Sequence, residues 1–411
     1  NTITWPAAIK WNGGSAPTLA GANSYSKTGQ VFNLVTADGG TTWYGYEELS
    51  SSNPQPGTLW GWGYNYRGEI APNDNAYVSS PVQIAGDWDR AFISKFALAS
   101  RGDGALWVWG NNAYGELGQN NQIERSSPIQ IGSEKNWSRN FTSSTTVALA
   151  VKTDGSLWGW GRNQYGGLGQ NQGDNSDKSS PVQIPGIWST SYQTISGNDQ
   201  ASAAIKKDGT LWVMGYGSFG ALGLNSTAHV SSPTQLPGTT WKAVGGGWAH
   251  GAAVKTDGTL WVWGSNNYGQ AGQNNNNNGY SSPVQVPGTT WDKVYDGEAG
   301  SYSVGAIKTD GTLWMWGYAN RGQTGQNNTI PKSSPVQIPG TNWDSLYLGE
   351  YAAIGRKTDG TAYYWGYNGR GDSGQNTRNP VMYSSPTQIP GDWLLAGTSN
   401  GGNSFGIKNP S

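Results

Sequence analysis

The feature that most constrains the fold of this chain is a tryptophan-bearing strand motif, such as "TDGTLWVWG" at 256–264, that recurs along the sequence. The tryptophan of its Leu-Trp pair occurs six times, and a tyrosine takes a seventh place. These positions are Trp60, Trp107, Trp158, Trp212, Trp261, Trp314 and Tyr363. Neighbouring copies lie 47 to 54 residues apart. A near-constant interval of this size indicates a repeat architecture, in which one supersecondary unit is copied.

Two further motifs follow the same interval. The tripeptide Ser-Ser-Pro begins at Ser79, Ser126, Ser179, Ser231, Ser281, Ser333 and Ser384. A lone tryptophan follows it at Trp88, Trp137, Trp188, Trp241, Trp291, Trp343 and Trp393. Three independent motifs that each occur seven times indicate seven structural units.

Each unit is predicted to be β structure. Leu260 and Val262 alternate with Trp261 and Trp263, so both faces of this strand are apolar and both must be covered. An Asp-Gly pair precedes six of the seven strands and is typical of a tight hairpin. The Pro residues of "PVQIPG" place a further strand at an edge. About four short strands per unit, buried on both faces, predict a blade of a β-propeller.

The ends of the chain predict how the ring closes. The first tryptophan strand, 58–63, follows "NPQPG" and lacks an Asp-Gly hairpin before it. The C-terminal "NSFGIKNPS" matches the strand that precedes such a hairpin elsewhere, with Phe405 to Lys408 at its centre. We therefore expect this strand to pair with 58–63 and to complete one blade from both ends, which removes an exposed sheet edge.

The repeat resembles that of the regulator of chromosome condensation family. The resemblance rests on "LWxWG", then "NNAYGELGQ" at 111–119 or "RNQYGGLGQ" at 162–170, then "SSPVQI", and it covers about Thr58 to Lys408. It implies an all-β, seven-bladed propeller of four-stranded blades. Members of the family include a nucleotide-exchange factor, a plant UV-B photoreceptor and a bacterial β-lactamase inhibitor, so the resemblance implies no single activity.

The domain organisation follows from where the repeat begins. Residues 1–53 lie outside it and are expected to form a small β module, with an Asp-Gly-Gly hairpin between two β-rich runs. This segment resembles one found in bacteriophage tail and fibre proteins. Residues 54–57 are expected to be a linker stiffened by two prolines, and residues 58–411 the propeller.

Composition excludes several function classes. Lys+Arg 25 against Asp+Glu 26 gives no basic excess for nucleic-acid binding, and no apolar run suits membrane insertion. Cysteine is absent and His229 and His250 lie in different repeats, so we predict no enzyme, no cofactor and no metal site. Asp174 and Asp177 could offer oxygen ligands to calcium, but they lack a regular ligand spacing, and a solvated loop is the preferred interpretation.

The high tryptophan content does not indicate light sensing. Nineteen of the 23 tryptophans occupy repeated positions, and we interpret them as core. Trp248, in "GGGWAHG", faintly resembles the photoreceptor's Gly-Trp-Arg-His-Thr motif, but Ala249 stands where that motif has arginine.

One repeated position varies in an informative way. The residue before the first glycine of "NxYGxLG" is Arg67, Tyr114, Tyr165, Phe219, Tyr268, Arg321 or Arg370. In a closed ring the three arginines would form one arc. They could all stack between blades, arginine through its flat guanidinium, or Arg67, Tyr114, Tyr165, Tyr268, Arg321 and Arg370 could contact an anionic or sugar ligand.

The function that we predict from the sequence is recognition without catalysis. The leading hypothesis is a bacteriophage tail or fibre component on the virion surface or in the extracellular space, where it contacts other virion proteins and a host-surface glycan or protein. The alternative is a protein-binding inhibitor or scaffold. Exchange-factor and photoreceptor activities rank below both, and a homo-oligomer stays open.

Overall fold

A computed structural model gives the fold. It describes residues 57–70, 77–172, 176–197, 201–296, 301–399 and 402–408, together with the backbone of 9–11, 31–36 and 43–48. The chain divides into two compact units, Asn1–Gln55 and Pro56–Ser411. The only helix among the described residues is a 3-10 helix of three residues, Ser218–Gly220, and it is far too short to cross a membrane.

The N-terminal unit contains a three-stranded sheet. Its strands are β1 (Ile9–Trp11), β2 (Val31–Thr36) and β3 (Trp43–Glu48). β3 lies in the middle, antiparallel to β2 and parallel to β1. The strand pair β2–β3 agrees with the expected hairpin; the Asp-Gly-Gly turn itself lies outside the described residues.

The second unit is a seven-bladed propeller, as predicted, and each blade is a four-stranded sheet. Blade 1 contains β4 (Gly57–Gly63) and β5 (Val78–Trp88). Blade 2 contains β6 (Arg90–Ile93), β7 (Phe96–Ser100), β8 (Leu106–Gly110) and β9 (Arg125–Gln130). Blade 3 contains β10 (Trp137–Ser143), β11 (Val147–Lys152), β12 (Leu157–Gly161) and β13 (Lys178–Ile184). Blade 4 contains β14 (Ile195–Gly197), β15 (Ala201–Ile205), β16 (Leu211–Gly215) and β17 (Val230–Leu236).

The remaining blades repeat this order. Blade 5 contains β18 (Trp241–Gly246), β19 (His250–Lys255), β20 (Leu260–Gly264) and β21 (Tyr280–Val286). Blade 6 contains β22 (Trp291–Asp296), β23 (Ser303–Lys308), β24 (Leu313–Gly317) and β25 (Lys332–Gln337). Blade 7 contains β26 (Trp343–Leu348), β27 (Ala352–Lys357), β28 (Ala362–Tyr367) and β29 (Met382–Ile389). The C-terminal strands β30 (Trp393–Thr398) and β31 (Asn403–Lys408) complete blade 1 in the order β30-β31-β4-β5.

The C-terminal strand closes the ring in the predicted way. β31 pairs antiparallel with β4 over six residues, from Lys408 opposite Thr58 to Asn403 opposite Gly63. The partner strand begins at Gly57, one residue before the predicted start. The pairing removes the sheet edges that an open chain of blades would leave exposed.

The tryptophan strand is the third strand of every blade, and its second tryptophan holds neighbouring blades together. The indole N–H of this residue donates a hydrogen bond of 2.7–2.9 Å to a backbone carbonyl in the loop of the preceding blade. The donors are Trp62, Trp109, Trp160, Trp263, Trp316 and Trp365. All six are buried, and Met214 takes the equivalent place in blade 4. We call this contact the indole seam bond.

The Ser-Ser-Pro motif meets the glycine loop "NxYGxLG" of the preceding blade at the same seam. Between blades 5 and 6, Gly269 lies against Ser333, and a Cβ on this glycine would stand 2.4 Å from the serine Cα. Its φ of +84° is also one that L-residues rarely adopt. The backbone N–H of Asn274 then donates to the Ser333 carbonyl at 2.8 Å. The motifs are therefore partners in space across a blade boundary, which explains why they recur together.

The first tryptophan of the strand has a different environment. Its ring and that of the lone tryptophan flank a cation from the end of the second strand, at 3.6–5.4 Å from the ring centroids. The cations are Arg101, Lys152, Lys206, Lys255, Lys308, Lys357 and Lys408. The prediction that all nineteen repeated tryptophans are core is wrong for the six first tryptophans, which stay partly exposed. A charged partner needs such access to water.

We predict that Trp263→Phe destabilises the protein more than Trp261→Phe does. The first change leaves the buried Ala221 carbonyl without its donor, whereas Trp261 donates only to the hydroxyl of Thr259 at a partly exposed site. An unsatisfied buried carbonyl costs about 1–3 kcal/mol, so the difference in the free energy of unfolding should lie in that range. Urea denaturation of both variants measures it. Equal losses would show that the indole seam bond contributes nothing specific.

Candidate functional site

The predicted site residues lie on one face of the propeller. Because neighbouring strands are antiparallel, the loop after the third strand and the loop after the first strand leave a blade on the same side. We call this side the loop face. Its described loop residues are 64–70, 77, 111–124, 162–172, 176–177, 216–229, 265–279, 318–331 and 368–381. The opposite side, which carries the Asp-Gly turns, is the turn face.

Every one of the seven varying residues contacts the following blade. Tyr114 lies under the guanidinium of Arg162, which is 4.8 Å from its ring centroid. The ring of Tyr165 lies 5.0 Å from that of Tyr216. The ring of Tyr268 lies 4.8 Å from that of Tyr318. Stacking between blades, one of the two interpretations of this position, is therefore present in the structure.

The three arginines do lie on consecutive blades, 6, 7 and 1. The guanidinium of Arg321 lies 5.5 Å from the ring centroid of Tyr367, and that of Arg370 lies 5.3 Å from the ring of Tyr64. Arg67 forms an ion pair with Glu124 of blade 2. Arg67 and Arg321 remain exposed and Arg370 is half-buried, so the arc keeps donor groups at the surface while its flat faces and stems pack.

An aromatic patch on blades 4 to 6 adjoins this ring, and sequence reasoning missed it. Phe219, which is 50% exposed, lies 5.9 Å from the ring of Trp248. Trp248 lies 5.6 Å from Tyr302, which in turn lies 5.5 Å from Tyr268. Trp248 therefore belongs to a surface cluster. The available signal was that "GGGWAHG" departs from the other loops after a first strand.

Blade 1 adds a second group of exposed aromatic residues. Tyr66 is 59% exposed and Tyr77 is 46% exposed, and both rings lie within 6.1 Å of Tyr64. The guanidinium of Arg378, from blade 7, lies 4.6 Å from the ring of Tyr77. Arginine and aromatic side chains thus alternate along this part of the loop face.

Three buried carboxyl groups lie beneath the arc, one residue after the first glycine of the loop. They are Glu69, Glu116 and Asp372, on blades 1, 2 and 7. Glu116 accepts hydrogen bonds from the Asn111 amide and the Tyr114 backbone N–H, both at 2.7 Å. Blades 5 and 6 have Gln270 and Gln323 at the same place, and these accept the equivalent backbone N–H at 2.9 and 2.8 Å.

Burial controls the ionisation of these acids. It raises the pKa of Glu69 and of Glu116 to about 7, and the hydrogen bonds that they accept oppose this only in part. Burial also raises the pKa of Asp372 to about 8, against the lowering effect of Arg370. The carboxyls thus hold protons well above the usual range, because an uncompensated charge is costly in the interior.

The described residues form no cluster suited to metal binding. They contain no group of three or more His, Asp or Glu side chains that could hold a metal ion. His250 is buried at the start of β19. His229 packs against the rings of both Tyr165 and Tyr216, and its Nδ1 accepts the Gly217 N–H. Asp177 accepts the backbone N–H of Asn163, whereas Asp174 lies outside the described residues.

Comparison with known proteins identifies the repeat. The sequence profile of the regulator of chromosome condensation (RCC1) repeat matches residues 103–148, 154–205, 208–254 and 257–307, and a second profile of the same repeat matches 241–270. Each of the four matches begins at or next to an Asp-Gly turn and continues into the next blade. The chain carries RCC1 repeats.

Proteins of several kinds share this repeat. The chain is 33% identical over 89 residues to the human probable E3 ubiquitin-protein ligase HERC4, a match that covers 22% of this chain and 8% of that protein. It is 27% identical over 196 residues to the ultraviolet-B receptor UVR8 of Arabidopsis thaliana, covering 46% of this chain and 43% of the receptor. The matches thus span less than half of either relative.

The fold is also that of a solved RCC1-repeat structure. Prp20p of Saccharomyces cerevisiae superposes with a TM-score of 0.72 at 18% identity, over 87% of this chain and 92% of that one. The structure of Prp20p was determined together with its binding properties to Gsp1p and histones. At this identity the likeness establishes the propeller fold alone.

We predict that the propeller loses stability as the pH rises from about 5 to about 8. The folded pKa of Glu116, about 7, exceeds its ordinary value of 4.5. The folded state therefore holds a proton that the unfolded chain releases, so the stabilisation is full below the unfolded pKa and is lost as the pH passes the folded pKa. In Glu116→Gln the free energy of unfolding should therefore fall by roughly 3 kcal/mol less over this pH range than in the wild type, since one pKa unit corresponds to about 1.4 kcal/mol.

Urea denaturation at several pH values tests this prediction. Asp257→Asn is the matched control, because Asp257 is exposed and hydrogen bonds from Thr259 lower its pKa, so that its titration lies below this pH window. A pH dependence in Glu116→Gln as steep as in the wild type would contradict the assignment.

Proposed function

We propose that this chain is a protein-binding propeller that recognises its partner through the loop face, without catalysis. The observation that carries the proposal is the concentration of exposed aromatic and arginine side chains there. Tyr66, Phe219 and Tyr268 are 37–59% exposed, and Arg67 and Arg321 lie among them. Aromatic residues and arginine dominate the binding energy of protein interfaces, because they bury large areas and donate several hydrogen bonds.

The fold supports this use of the loops. Seven sheets, joined at six of their seven boundaries by indole seam bonds, form a rigid base. Loops on a rigid base are where binding residues are commonly found. Each side chain of the ring is also held by a neighbour on the next blade, as Tyr268 is by Tyr318. A pre-oriented surface loses less conformational entropy when a partner binds.

The six predicted site residues acquire distinct roles in this proposal. Arg67 and Arg321 present exposed guanidinium groups to acidic or carbonyl groups of the partner, and Arg370 supports them from a half-buried position. Tyr268 offers an exposed ring. Tyr114 and Tyr165, which are half-buried, mainly orient the loops between which they stack.

The virion hypothesis is a more specific form of the same proposal. It rests on the resemblance of residues 1–53 to phage tail and fibre segments, and neither HERC4, UVR8 nor Prp20p is a virion protein. Attachment to a host-surface glycan or protein, and a location on the virion surface, follow only within that hypothesis. An inhibitor or scaffold would use the same loop face but requires neither a virion nor a host surface.

The decisive experiment compares a loop-face variant with a turn-face variant. Proteins captured by the wild-type chain from an extract of its own source are identified by mass spectrometry, and a purified partner is then titrated by calorimetry. The triple variant Phe219→Ala, Tyr268→Ala, Arg321→Ala should weaken binding at least about tenfold, as removal of central interface residues does.

The control is Ile187→Ala, which removes an equally exposed apolar side chain, 61% accessible, from the turn face. It should bind like the wild type, and both variants should retain the wild-type melting temperature. Undiminished binding by the triple variant, or loss of binding in Ile187→Ala, would overturn the proposal. A glycan array probed with the same variants separates a carbohydrate ligand from a protein ligand.

A further inference from the structure

The central channel contains a buried arginine that makes no ion pair within the described residues. Arg90, the first residue of the inner strand β6, is 8% exposed. Its guanidinium carbon lies 4.9 Å from the ring centroid of Phe92, 5.4 Å from that of Phe141 and 4.1 Å from that of Tyr192. Its Nε is buried and has no hydrogen-bond acceptor. Aromatic faces attract a cation, but they do not accept its N–H groups in plane.

The guanidinium lines a cavity of about 90 Å³ at the ring axis. Inner strands of all seven blades contribute to its wall. Room for one water needs only about 10–15 Å³ by this measure, so the cavity has space for a small ligand. Among the described residues that line it there is no aspartate or glutamate to pair with the guanidinium of Arg90.

Two other polar side chains of the cavity already have partners, whereas the buried hydroxyl of Tyr347 has none. The amide of Asn140 donates to the carbonyl of Ser189 and to the hydroxyl of Thr194. The hydroxyl of Thr398 donates to the Asn403 carbonyl at 3.2 Å. The guanidinium of Arg90 and the hydroxyl of Tyr347 are thus the groups whose hydrogen-bonding capacity is left for a ligand. A buried donor without a partner is costly unless something fills that place.

An unusual connection shapes the entrance. The link between blades 3 and 4 has ten residues, 185–194, whereas 237–240 and 287–290 have four. The longer link places Tyr192, 41% exposed, beside the guanidinium, and the carbonyl of Gln193 accepts the Val244 N–H at 2.9 Å. The segment is therefore anchored across the channel to blade 5, with the Tyr192 ring between Arg90 and solvent.

We propose that this channel site binds a small carboxylate, with the Arg90 guanidinium donating two parallel hydrogen bonds to its oxygens. A planar fork matches a planar carboxylate in charge and geometry. The apolar side chains of Phe92, Phe141 and Ile195 in the wall suit a short hydrocarbon stem attached to that carboxylate. The site is separate from the loop face and its function does not depend on partner binding there.

The experiment measures the melting temperature of the full chain in acetate, propionate, sulfate and phosphate, at constant ionic strength set with sodium chloride. A ligand that binds only the folded state raises the melting temperature with concentration. We expect a rise in acetate, a larger one in propionate, and a smaller one in sulfate or phosphate. Calorimetric titration with propionate then gives the affinity directly.

The variants are Arg90→Met, which keeps an apolar stem, and Arg90→Lys, which keeps the charge without the fork. Both should weaken propionate binding about tenfold or more, the effect of losing charge-assisted hydrogen bonds. The matched control is Arg101→Met, because Arg101 also lies against two aromatic rings but outside the cavity. It should bind propionate like the wild type.

Three outcomes would overturn the proposal. They are no carboxylate-dependent stabilisation of the wild type, an equal stabilisation of the Arg90 variants, or a larger effect of sulfate or phosphate than of propionate. Should Arg90→Met fail to fold, Arg90→Lys makes the same comparison.

Discussion

The rest of the structure depends on the hydrogen bond from the second tryptophan of one blade to a loop carbonyl of the blade before it. Each blade buries both faces of its sheet, and the indole both fills the space between blades and satisfies a carbonyl that burial would otherwise leave without a donor. The same contact fixes the loop that follows the strand. In blade 4 the buried Met214 takes the place of the tryptophan and has no N–H to donate. One boundary between blades is therefore filled by apolar packing without the hydrogen bond.

The contact at this seam also explains why the binding residues of the loop face and the buried acids beneath them lie close together. The loop that receives the indole N–H is the one that carries Arg67, Tyr268 or Arg321 at its surface and a carboxyl or amide beneath, so binding residues and buried acids are placed together by one local fold. Glu69, Glu116 and Asp372 occupy consecutive blades around the point where the chain ends meet. When protonated they are uncharged like the glutamines of blades 5 and 6, and Glu116 accepts the same backbone N–H as Gln270 and Gln323 do.

The fold could be predicted from the sequence because the number and order of the repeated motifs determine the number of blades and how the ring closes. Seven copies of three motifs, six Asp-Gly hairpins and one orphan strand at each end leave a closed ring as the arrangement that buries every strand. Single positions were harder. The partial exposure of Trp261 depends on Lys255, which is adjacent in space and not in sequence, and the patch of Phe219, Trp248 and Tyr302 joins three blades. Arg90 resembled any strand residue, because only the closed ring brings Phe141 and Tyr192 to it.

The candidate site was predictable in part for the same reason. Arg67, Arg321 and Arg370 could be assigned to one arc, since blade order follows chain order. Their contacts on the next blade could not be assigned, because the stacking partners Tyr64 and Tyr367 and the ion-pair partner Glu124 lie outside the compared motif position. Repeats thus predict which residues share a face, whereas contacts between repeats must be read from the structure.

Closure of the ring is the central claim, and engineered disulfide cross-linking tests it most directly. The chain has no cysteine, so a bond can form only between introduced thiols. Thr58 and Lys408 are register partners, and opposed Cα atoms about 4.5–5.5 Å apart suit a disulfide. Ser404 lies four residues along the same strand, which places it about 13 Å away from that register position and beyond reach.

The measurement is the fraction of intramolecular disulfide in each double variant, read by denaturing mass spectrometry and by non-reducing gel mobility. Ring closure predicts nearly complete bonding in Thr58→Cys, Lys408→Cys, and none in Thr58→Cys, Ser404→Cys. Absence of the bond in the first pair, or a bond only between separate chains, would contradict it.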